Sequence, residues 1–233
     1  MGKLIIQRRR GKGSSTYRAK GMLKASLPKK EGVAEIKDII HVSARNTPII
    51  NIRFEDGSTQ KIIAADGLST NEPIEFSSQA RPKPGNVMPL GKIPEGTQVF
   101  CIENVFGDGG KVCKSSGSFA IVKSKEKNKV QVQLPSKKMK SFSANCRAVI
   151  GKPAGTGRVS KPFMKASLKL RHMRSRGKLW PITSGSKMNA TDHPFGGKTG
   201  PGQSTTTSRR APPGQKVGSI AARQTGKSKR RKR

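Results

Sequence analysis

The uneven distribution of charge is the feature that most limits how this chain can fold. Residues 127–233 contain 27 Lys or Arg and a single acid, Asp192, while residues 1–30 contain ten Lys or Arg and no acid. Residues 31–126 are close to neutral, with eleven basic and twelve acidic residues. The net charge is +35, and such a chain repels itself unless a polyanion neutralises it. The pattern predicts a folded centre with polyanion-binding ends.

The near-neutral centre shows the alternation of apolar and polar residues that is typical of β-strands. Ile50, Ile52 and Phe54 alternate with polar residues, and the pair Asp56-Gly57 predicts a tight hairpin in which both residues take positive φ. A returning strand is predicted at 61–64 and a partner strand at 33–42. The segment 79–96 has four prolines and three glycines, which indicates a linker.

A second set of short strands is predicted beyond this linker. In the first of them, Phe100 and Ile102 lie on one face and Val99, Cys101 and Val105 on the other. Regularly spaced short strands favour small barrels, because closure removes exposed sheet edges. We therefore predict an all-β fold with two small barrels in tandem. The strands of the second set are at 98–105, 118–122, 130–134 and 142–151.

The chain beyond residue 151 has a different composition. Residues 152–233 contain 21 Lys or Arg and 18 Gly or Pro. The remaining apolar residues are too few to offset the entropy of ordering this segment without a partner. The stretch 163–176 fits a basic amphipathic helix, a pattern shared with membrane-surface and calmodulin-binding helices. The surrounding glycines and prolines favour an extended path instead.

The cysteines and the N-terminus exclude several other classes of protein. Cys101, Cys113 and Cys146 form no C-x-x-C pair, which excludes a four-cysteine zinc ribbon and argues against a disulfide framework. We expect small buried thiols in a reducing compartment. No apolar run approaches the ~20 residues of a spanning helix, and the apolar stretch at 4–6 is shorter than a signal-peptide core. We therefore expect a cytosolic protein with no membrane partner.

The segment 188–202 suggests four kinds of site around Asp192 and His193. A phosphate-binding loop ending at 196–199 would need glycine where Asp192 stands, and Pro201 blocks the helix that should follow. A catalytic pair is disfavoured because the side chains of adjacent residues diverge, and a metal site lacks further ligands nearby. A shaped turn is favoured.

Several residues of this segment suit a turn. Asn189 and Asp192 are short side chains that bond to nearby amides, Pro194 fixes φ, and Gly196 and Gly197 permit close approach of the main chain. Among phosphates, Asp192 would be tolerable only if hydrogen bonds or a basic side chain held it. We expect these residues to shape the loop and His193 to project from it.

Structured RNA is the polyanion that best fits the basic ends. Arginine binds phosphate in a bidentate manner and stacks on bases, glycines let the main chain enter narrow grooves, and Trp180 offers a stacking surface. Two alternatives from other classes stay open. One is an enzyme acting on RNA or nucleotides through Asp192 and His193, and the other is a DNA-compacting protein, although no lysine- and alanine-rich repeat is present.

Motifs spread over residues 85–226 resemble those of one family, the universal large-subunit ribosomal protein numbered two, in its archaeal and eukaryotic branch. The central and closing motifs occur in the family's order, and the first 80 residues resemble it more loosely. The motifs are "GNVMPLGKIPEGT", "GDGGK", "LPS", "KAS", "RGKLWP", "KMNATDHPFGG" and "APPGQKVGSIAARQTG".

The resemblance implies an OB-like barrel, an SH3-like barrel and a tail that penetrates large-subunit rRNA. It implies a non-enzymatic ribosomal component that lies near the peptidyl transferase region and the subunit interface and supports subunit association. Its partners would be rRNA, neighbouring large-subunit proteins and the small subunit, with no small-molecule substrate. No cofactor or protein-bound metal is implied, while Mg²⁺ associated with the rRNA and a supporting role for His193 in peptidyl transfer are left open.

The predicted organisation is a basic N-terminal extension at 1–30, an OB-like barrel at 31–80, a linker at 81–97, an SH3-like barrel at 98–151 whose start can include 85–97, and a basic Gly/Pro-rich extension at 152–233. The residues predicted to bind rRNA are Arg8, Arg9, Arg10, Lys12, Lys165, Arg171, Arg174, Arg176, Lys178, Trp180, Asn189, His193, Gly196, Gly197, Lys198, Arg209, Arg210, Lys216 and Arg223.

The chain departs from the family's pattern at three places. Ser167 stands in place of a glycine, Thr191 in place of a valine, and residues 182–187 lack two arginines. These departures weaken the expectation of phosphate contacts around 182–187.

Overall fold

The computed structural model describes residues 2–19, 21, 24–198 and 204–222. Two units can be distinguished: a terminal unit, Met1–Ala19 with Ser167–Arg233, and a sheet unit, Lys20–Ala166. The helices and strands are α1 Ile6–Gly11, β1 Gly32–Ile40, β2 Ile49–Phe54, β3 Thr59–Ile63, β4 Pro73–Phe76, β5 Val87–Pro89, β6 Gln98–Phe100, β7 Ala120–Lys125, β8 Lys129–Gln133, β9 Met139–Ser143, β10 Arg147–Ile150, α2 Ala166–Ser175, β11 Thr206–Thr207 and β12 Ser219–Ile220. Short 3₁₀ turns occur at Ser15–Tyr17 and Gly185–Lys187.

The sheet unit is built around one mixed sheet of ten strands. Their order is β3-β2-β1-β4-β5-β10-β6-β7-β8-β9. Strands β4 and β5 run parallel, and the other neighbouring strands pair antiparallel. The prediction of a mostly β protein is confirmed.

The hairpin of β2 and β3 forms at the predicted place. Ile50 pairs with Ile62, and Ile52 and Phe54 are buried as their alternation predicts. The expected turn is wrong in one respect: of the pair Asp56-Gly57, only Gly57 has positive φ, at 81°. The Gly57 N–H donates to the Phe54 carbonyl, which makes a three-residue loop with its left-handed position on glycine.

The segment predicted as a linker contributes to the sheet. Strand β5 pairs with β10 antiparallel and with β4 parallel, and Val87, Leu90 and Ile93 are buried. Prolines and glycines indicated an irregular chain, but the apolar residues between them fill the core. The segment therefore continues the same sheet through a strand that runs parallel to β4.

The strand predicted at 98–105 is shorter than its pattern indicates. Strand β6 ends at Phe100, because Cys101 takes a positive φ of 49°. Val99, Phe100, Cys101 and Ile102 are all buried, so neither face of this stretch is solvated. Val105, expected on a strand face, is instead 69% exposed.

Two clusters of buried hydrophobic residues stabilise the sheet unit. One surrounds β1 to β4 and includes Ile36, Ile52 and Phe76. The other surrounds β6 to β10 and includes Val122 and Val132. The alternation that the sequence pattern predicts is clearest in β8, where Val130 and Val132 are buried between half-buried glutamines, whereas all four residues of β10 are buried.

The cysteines are free thiols. Cys101 and Cys146 are buried and Cys113 is half-buried. Burial raises the pKa of Cys101 and of Cys113 to about 11, so both are protonated at neutral pH. This agrees with the expectation of small packed residues.

Helix α2 corrects the expectation of an extended path over 163–176. The helix spans Ala166–Ser175, although it buries no residue completely. Leu168 is 47% exposed, and the C-terminal end is formed by Gly177, which has φ 62°. Good helix formers between the flanking prolines and glycines account for this short helix.

In the described ranges no helix is long and apolar enough to cross a membrane. Over the same ranges, no group of three or more His, Cys, Asp or Glu side chains is placed to hold a metal ion.

Candidate nucleic-acid interface

The segment that contains Asp192 and His193 forms a compact turn closed by main-chain hydrogen bonds. The Asn189 carbonyl accepts from the N–H groups of Asp192, at 3.0 Å, and of His193, at 3.2 Å. The Gly197 N–H donates to the Met188 carbonyl at 3.1 Å. The expected side-chain role of Asn189 is thus filled by its main chain.

Gly196 is the residue that allows the turn to close. It is buried, and a Cβ atom at this position would clash with the main-chain atoms of Asn189 and the carbonyl oxygen of Met188. Gly197 differs, because its φ of 93° places it in the left-handed region. The two adjacent glycines therefore serve the turn for separate reasons.

Asp192 is paired with a residue from the N-terminal segment. Its Oδ1 atom lies 3.4 Å from the Nζ atom of Lys3, and the Lys3 N–H donates to the Thr191 carbonyl at 2.8 Å. The side chain of Asp192 is 31% exposed, whereas that of Lys3 is 70% exposed. The one acid of the basic C-terminal region therefore fastens the N-terminus to the turn.

The imidazole of His193 packs against its own turn instead of projecting from it. Its Nδ1 atom accepts a hydrogen bond from the Phe195 N–H at 3.0 Å, and the ring covers Gly185. In this arrangement the proton of the neutral ring is on Nε2. His193 therefore offers one hydrogen-bond donor, which suits a phosphate or carbonyl oxygen.

The same geometry argues against the catalytic pair. In a hydrolase triad the carboxylate accepts from the Nδ1–H group of histidine, which orients the ring. Here Nδ1 accepts from the main chain, and the Asp192 carboxylate is paired with Lys3. The arrangement is that of a shaped loop.

Phe195 connects the turn to the small parallel pair of β11 and β12. Its ring lies 5.2 Å from that of His193 and contacts Gly218, where any Cβ atom would clash. Thr207 reinforces this pair through a bond from its hydroxyl to the Val217 carbonyl at 2.7 Å. The rings of His193 and Phe195, packed against Gly218, thus connect the turn with β11 and β12.

Helix α1 carries three consecutive arginines next to this turn. Arg8 donates to the Pro213 carbonyl at 3.4 Å, and Arg9 donates to the Leu4 carbonyl at 3.1 Å. Arg8, Arg9 and Arg10 are exposed and lie in the last turn of the helix, where cations are favoured by the exposed carbonyl groups.

A cavity of about 540 Å³ lies between the N-terminal segment and the turn. Its lining includes Lys3, Arg8, Asp192, His193 and Gly214. Two cations and one donor face a single paired carboxylate, so the cavity suits an anionic group.

Helix α2 ends in a second group of contacts. The Gly177 N–H donates to the Arg174 carbonyl at 3.0 Å, and a Cβ atom on buried Gly177 would clash with the main chain of Tyr17. Lys169 lies over the ring of Trp180, 5.1 Å from its centroid. Trp180 is therefore half-covered by a cation from its own chain.

The other predicted residues occupy exposed positions, with one exception among those described. Arg176 is half-buried because its guanidinium group contacts the His172 ring. Arg223 lies outside the described residues. The exposed residues are Lys12, Lys165, Arg171, Arg174, Lys178, Asn189, Lys198, Arg209, Arg210 and Lys216.

Four contributors to this surface were missed by sequence reasoning. Lys3, Gly185, Phe195 and Gly218 contact residues of the turn or belong to it. Phe195 and Gly218 lie inside motifs quoted from the sequence, whereas Lys3 and Gly185 lie outside them. No periodicity or spacing links Lys3 with Asp192, because 189 positions separate them.

These features define a class: a β-rich protein whose two basic ends form a surface suited to a polyanion. The sequence profile described as "Ribosomal Proteins L2, C-terminal domain" matches residues 83–217. The protein named large ribosomal subunit protein uL2 of Archaeoglobus fulgidus is 49% identical, over 97% of this chain and 99% of its own. The uL2 protein of Methanothermobacter thermautotrophicus is 45% identical, over 97% of this chain and 99% of its own. That of Korarchaeum cryptofilum is also 45% identical, over 99% of this chain and 98% of its own.

The chain belongs to the uL2 family of ribosomal proteins. The resemblance drawn from the motifs is thereby confirmed. The expectation that the chain is a structural component and not an enzyme is also confirmed.

Proposed function

We propose that this protein is a structural constituent of the large ribosomal subunit and binds its rRNA through the two basic ends. Membership of the uL2 family across nearly the whole chain carries this proposal. The charge layout agrees with it, since 27 basic residues face one acid after residue 126 and that acid is paired with Lys3. Exposed arginines of α1 suit phosphate groups.

The finer architecture is also part of the proposal. We assign an OB-like barrel to 31–80 and an SH3-like barrel to 98–151. Two hydrophobic clusters support this division, although Phe100 and Val149 of the second range pack in the first cluster. The basic segments 1–30 and 152–233 would then be rRNA-penetrating extensions. Their scarcity of buried apolar side chains supports ordering by a partner.

The position within the ribosome follows from the resemblance. The protein would lie near the peptidyl transferase region and the subunit interface, in contact with neighbouring large-subunit proteins and with the small subunit. It would support subunit association, in the cytoplasm. His193 would support the function of the assembled subunit through the Nε2–H donor that its packing leaves.

The salt dependence of rRNA binding tests the proposed role of the N-terminal cations. Each neutralised phosphate contributes roughly −0.7 to −0.9 to the slope of log K against log salt. Replacement of Arg8, Arg9, Arg10 and Lys12 by Gln should reduce the slope by about 3 if each contacts one phosphate. A filter-binding titration of the full chain between low and high salt measures it.

A matched control neutralises a cation of the sheet unit that already has a carboxylate partner and lies outside the basic segments. Replacement of Lys37, which pairs with Glu35, should leave the slope nearly unchanged. An unchanged slope in the fourfold N-terminal variant would remove these residues from the interface. Equal affinity for duplex DNA and folded rRNA would favour the DNA-compacting alternative.

Sedimentation tests the assignment as a whole. A ribosomal constituent should co-sediment one-to-one with large subunits after a high-salt wash, whereas an enzyme that acts on RNA should be washed off. His193→Ala should leave this stoichiometry intact and lower the translation rate of the assembled subunits. Normal translation would reduce His193 to packing against Gly185.

A further inference from the structure

One loop of the sheet unit exposes apolar side chains on a rigid frame. Residues 103–111 form a loop whose ends meet at the bridge between Ile102 and Val112, and Phe106 is 62% exposed and Val105 69% exposed at its tip. Neither residue belongs to the basic ends in which rRNA contacts were predicted. Exposed apolar side chains that lie together on a surface often indicate a binding site.

A buried ion pair holds the base of this loop. The guanidinium group of Arg147 donates to both carboxylate oxygens of Glu103, at 2.9 and 3.3 Å, and the side chain of Glu103 is 0% exposed. The N–H groups of Gly107 and Gly109 also donate to Glu103. Although burial by itself raises the pKa of Glu103, these bonds hold it below its ordinary value, so the pair stays charged.

Asp108 fixes the tip from within. Its carboxylate accepts from the N–H groups of Asn104, Val105 and Gly110, and its side chain is 10% exposed. Both acids of the loop are therefore turned inward and satisfied. The outward-facing surface at the tip is apolar.

Three cations lie at this loop. Lys111 lies 3.4 Å from Asp108 with its side chain 63% exposed, and Lys140 donates to the Asn104 side chain at 2.9 Å. Arg147 lies over the Phe106 ring at 5.3 Å from its centroid. The ring is thus held in place by a cation while most of its surface faces solvent.

We propose that Phe106 is a stacking platform for an unpaired RNA base, with the adjacent phosphates beside Lys111 and Lys140. The inference rests on the proposed rRNA-binding function and adds a contact outside the basic ends. Unstacked bases are commonly held on aromatic rings that basic side chains border. The rigid loop presents its ring without a large loss of conformational entropy on binding.

The chemistry of the tip favours a base over an apolar protein surface. Stable protein interfaces bury about 800 Å² per partner and are depleted in lysine. Here two apolar side chains lie on a loop whose neighbouring residues contact two lysines and which conceals both of its carboxylates. A small apolar patch on a loop with cations nearby matches a planar base with a phosphate on its side.

Three replacements at one position separate stacking from other roles. In the full-length chain, Phe106→Ala should weaken binding to deproteinised large-subunit rRNA by about 5- to 150-fold. Phe106→Trp should preserve the affinity and show quenching of the new fluorophore on binding, after subtraction of the Trp180 signal from the parent chain. Phe106→Leu should resemble Ala, because it keeps apolar area but has no π surface.

Chemical probing of the rRNA provides the second measurement. One nucleotide that the parent chain protects at its base should become reactive in the Phe106→Ala complex. Val33→Ala, at an exposed apolar residue outside the basic segments, should leave it protected. Full rRNA affinity of the Phe106→Leu variant would overturn stacking in favour of apolar docking. An unchanged Kd and an unchanged footprint in the Phe106→Ala variant would overturn the inference. Failure of the parent chain itself to bind rRNA would refute the proposed function instead.

Discussion

The sheet unit and the terminal unit are stabilised in different ways. The sheet unit has two clusters of buried hydrophobic side chains around its ten strands. Among the described residues of the terminal unit, Ile5 is the only buried hydrophobic side chain. In place of a hydrophobic core, the described residues of the terminal unit are held by close contacts at glycines, by turns and by one ion pair.

The difference shows which forces act in each unit. Apolar burial contributes roughly 25 cal/mol per Å², which can stabilise the sheet unit without a partner. The terminal unit carries most of the cationic excess, and main-chain packing at Gly177, Gly196 and Gly218 removes little apolar area from water. We therefore expect its order to depend on a polyanion.

The largest expected effect is in the sheet unit, at the buried pair. Glu103→Ala leaves Arg147 charged and buried at 5% exposure, which should lower the free energy of unfolding by about 3–5 kcal/mol. Urea unfolding of the full chain measures this. Glu35→Ala, which removes an exposed pair with Lys37, is the control and should change the midpoint little.

Acid should weaken the sheet unit through its carboxylates. The side-chain hydrogen bond from Lys30, followed by that from Ser58, lowers the pKa of Asp56 to about 2, and the pKa of Glu103 is also lowered. Because the folded pKa values lie below the unfolded ones, the unfolded state binds more protons as the pH falls from about 4 to about 2. Urea midpoints should drop across this window, and less steeply in Glu103→Gln. A urea midpoint that stays constant as the pH falls from about 4 to about 2 would contradict the predicted direction of the effect.

In the terminal unit, the main-chain packing of the turn can be broken at one glycine. Gly196→Ala places a Cβ atom against Asn189 and should cost about 1–3 kcal/mol in the ordered turn. Hydrogen exchange over 185–197 in the rRNA complex should show faster exchange. Gly11→Ala, where nothing lies within 4 Å, is the matched control and should leave exchange in the turn unchanged.

The smallest effect is expected at the pair of Lys3 and Asp192. A double-mutant cycle with Lys3→Gln and Asp192→Asn should give a coupling of about 0.2–1 kcal/mol in rRNA affinity, because both side chains are partly solvated. The coupling should shrink at high salt. Strict additivity of the two replacements would show that the pair does not fasten the N-terminus.

Much of the sheet could be predicted, since strand alternation depends on local pattern. Ile50, Ile52 and Phe54 are buried as expected, and β8 lies within one residue of the strand predicted at 130–134. The single strand predicted at 142–151 instead covers the end of β9 and the whole of β10. Val105 was misplaced because the strand ends when Cys101 takes positive φ, which no pattern of apolar residues encodes. Similarly, His193 was expected to project, but a contact with Gly185 turned it inward.

The sequence by itself determined the class of partner and the β character of the centre. Net charge and strand alternation are sums over residues, so they do not depend on which distant positions meet. The tertiary structure decided that Asp192 pairs with Lys3 and that Glu103 is buried against Arg147. It also decided that the tip of the loop 103–111 exposes Phe106. These outcomes depend on contacts between residues far apart in the chain, where packing and desolvation select the partners.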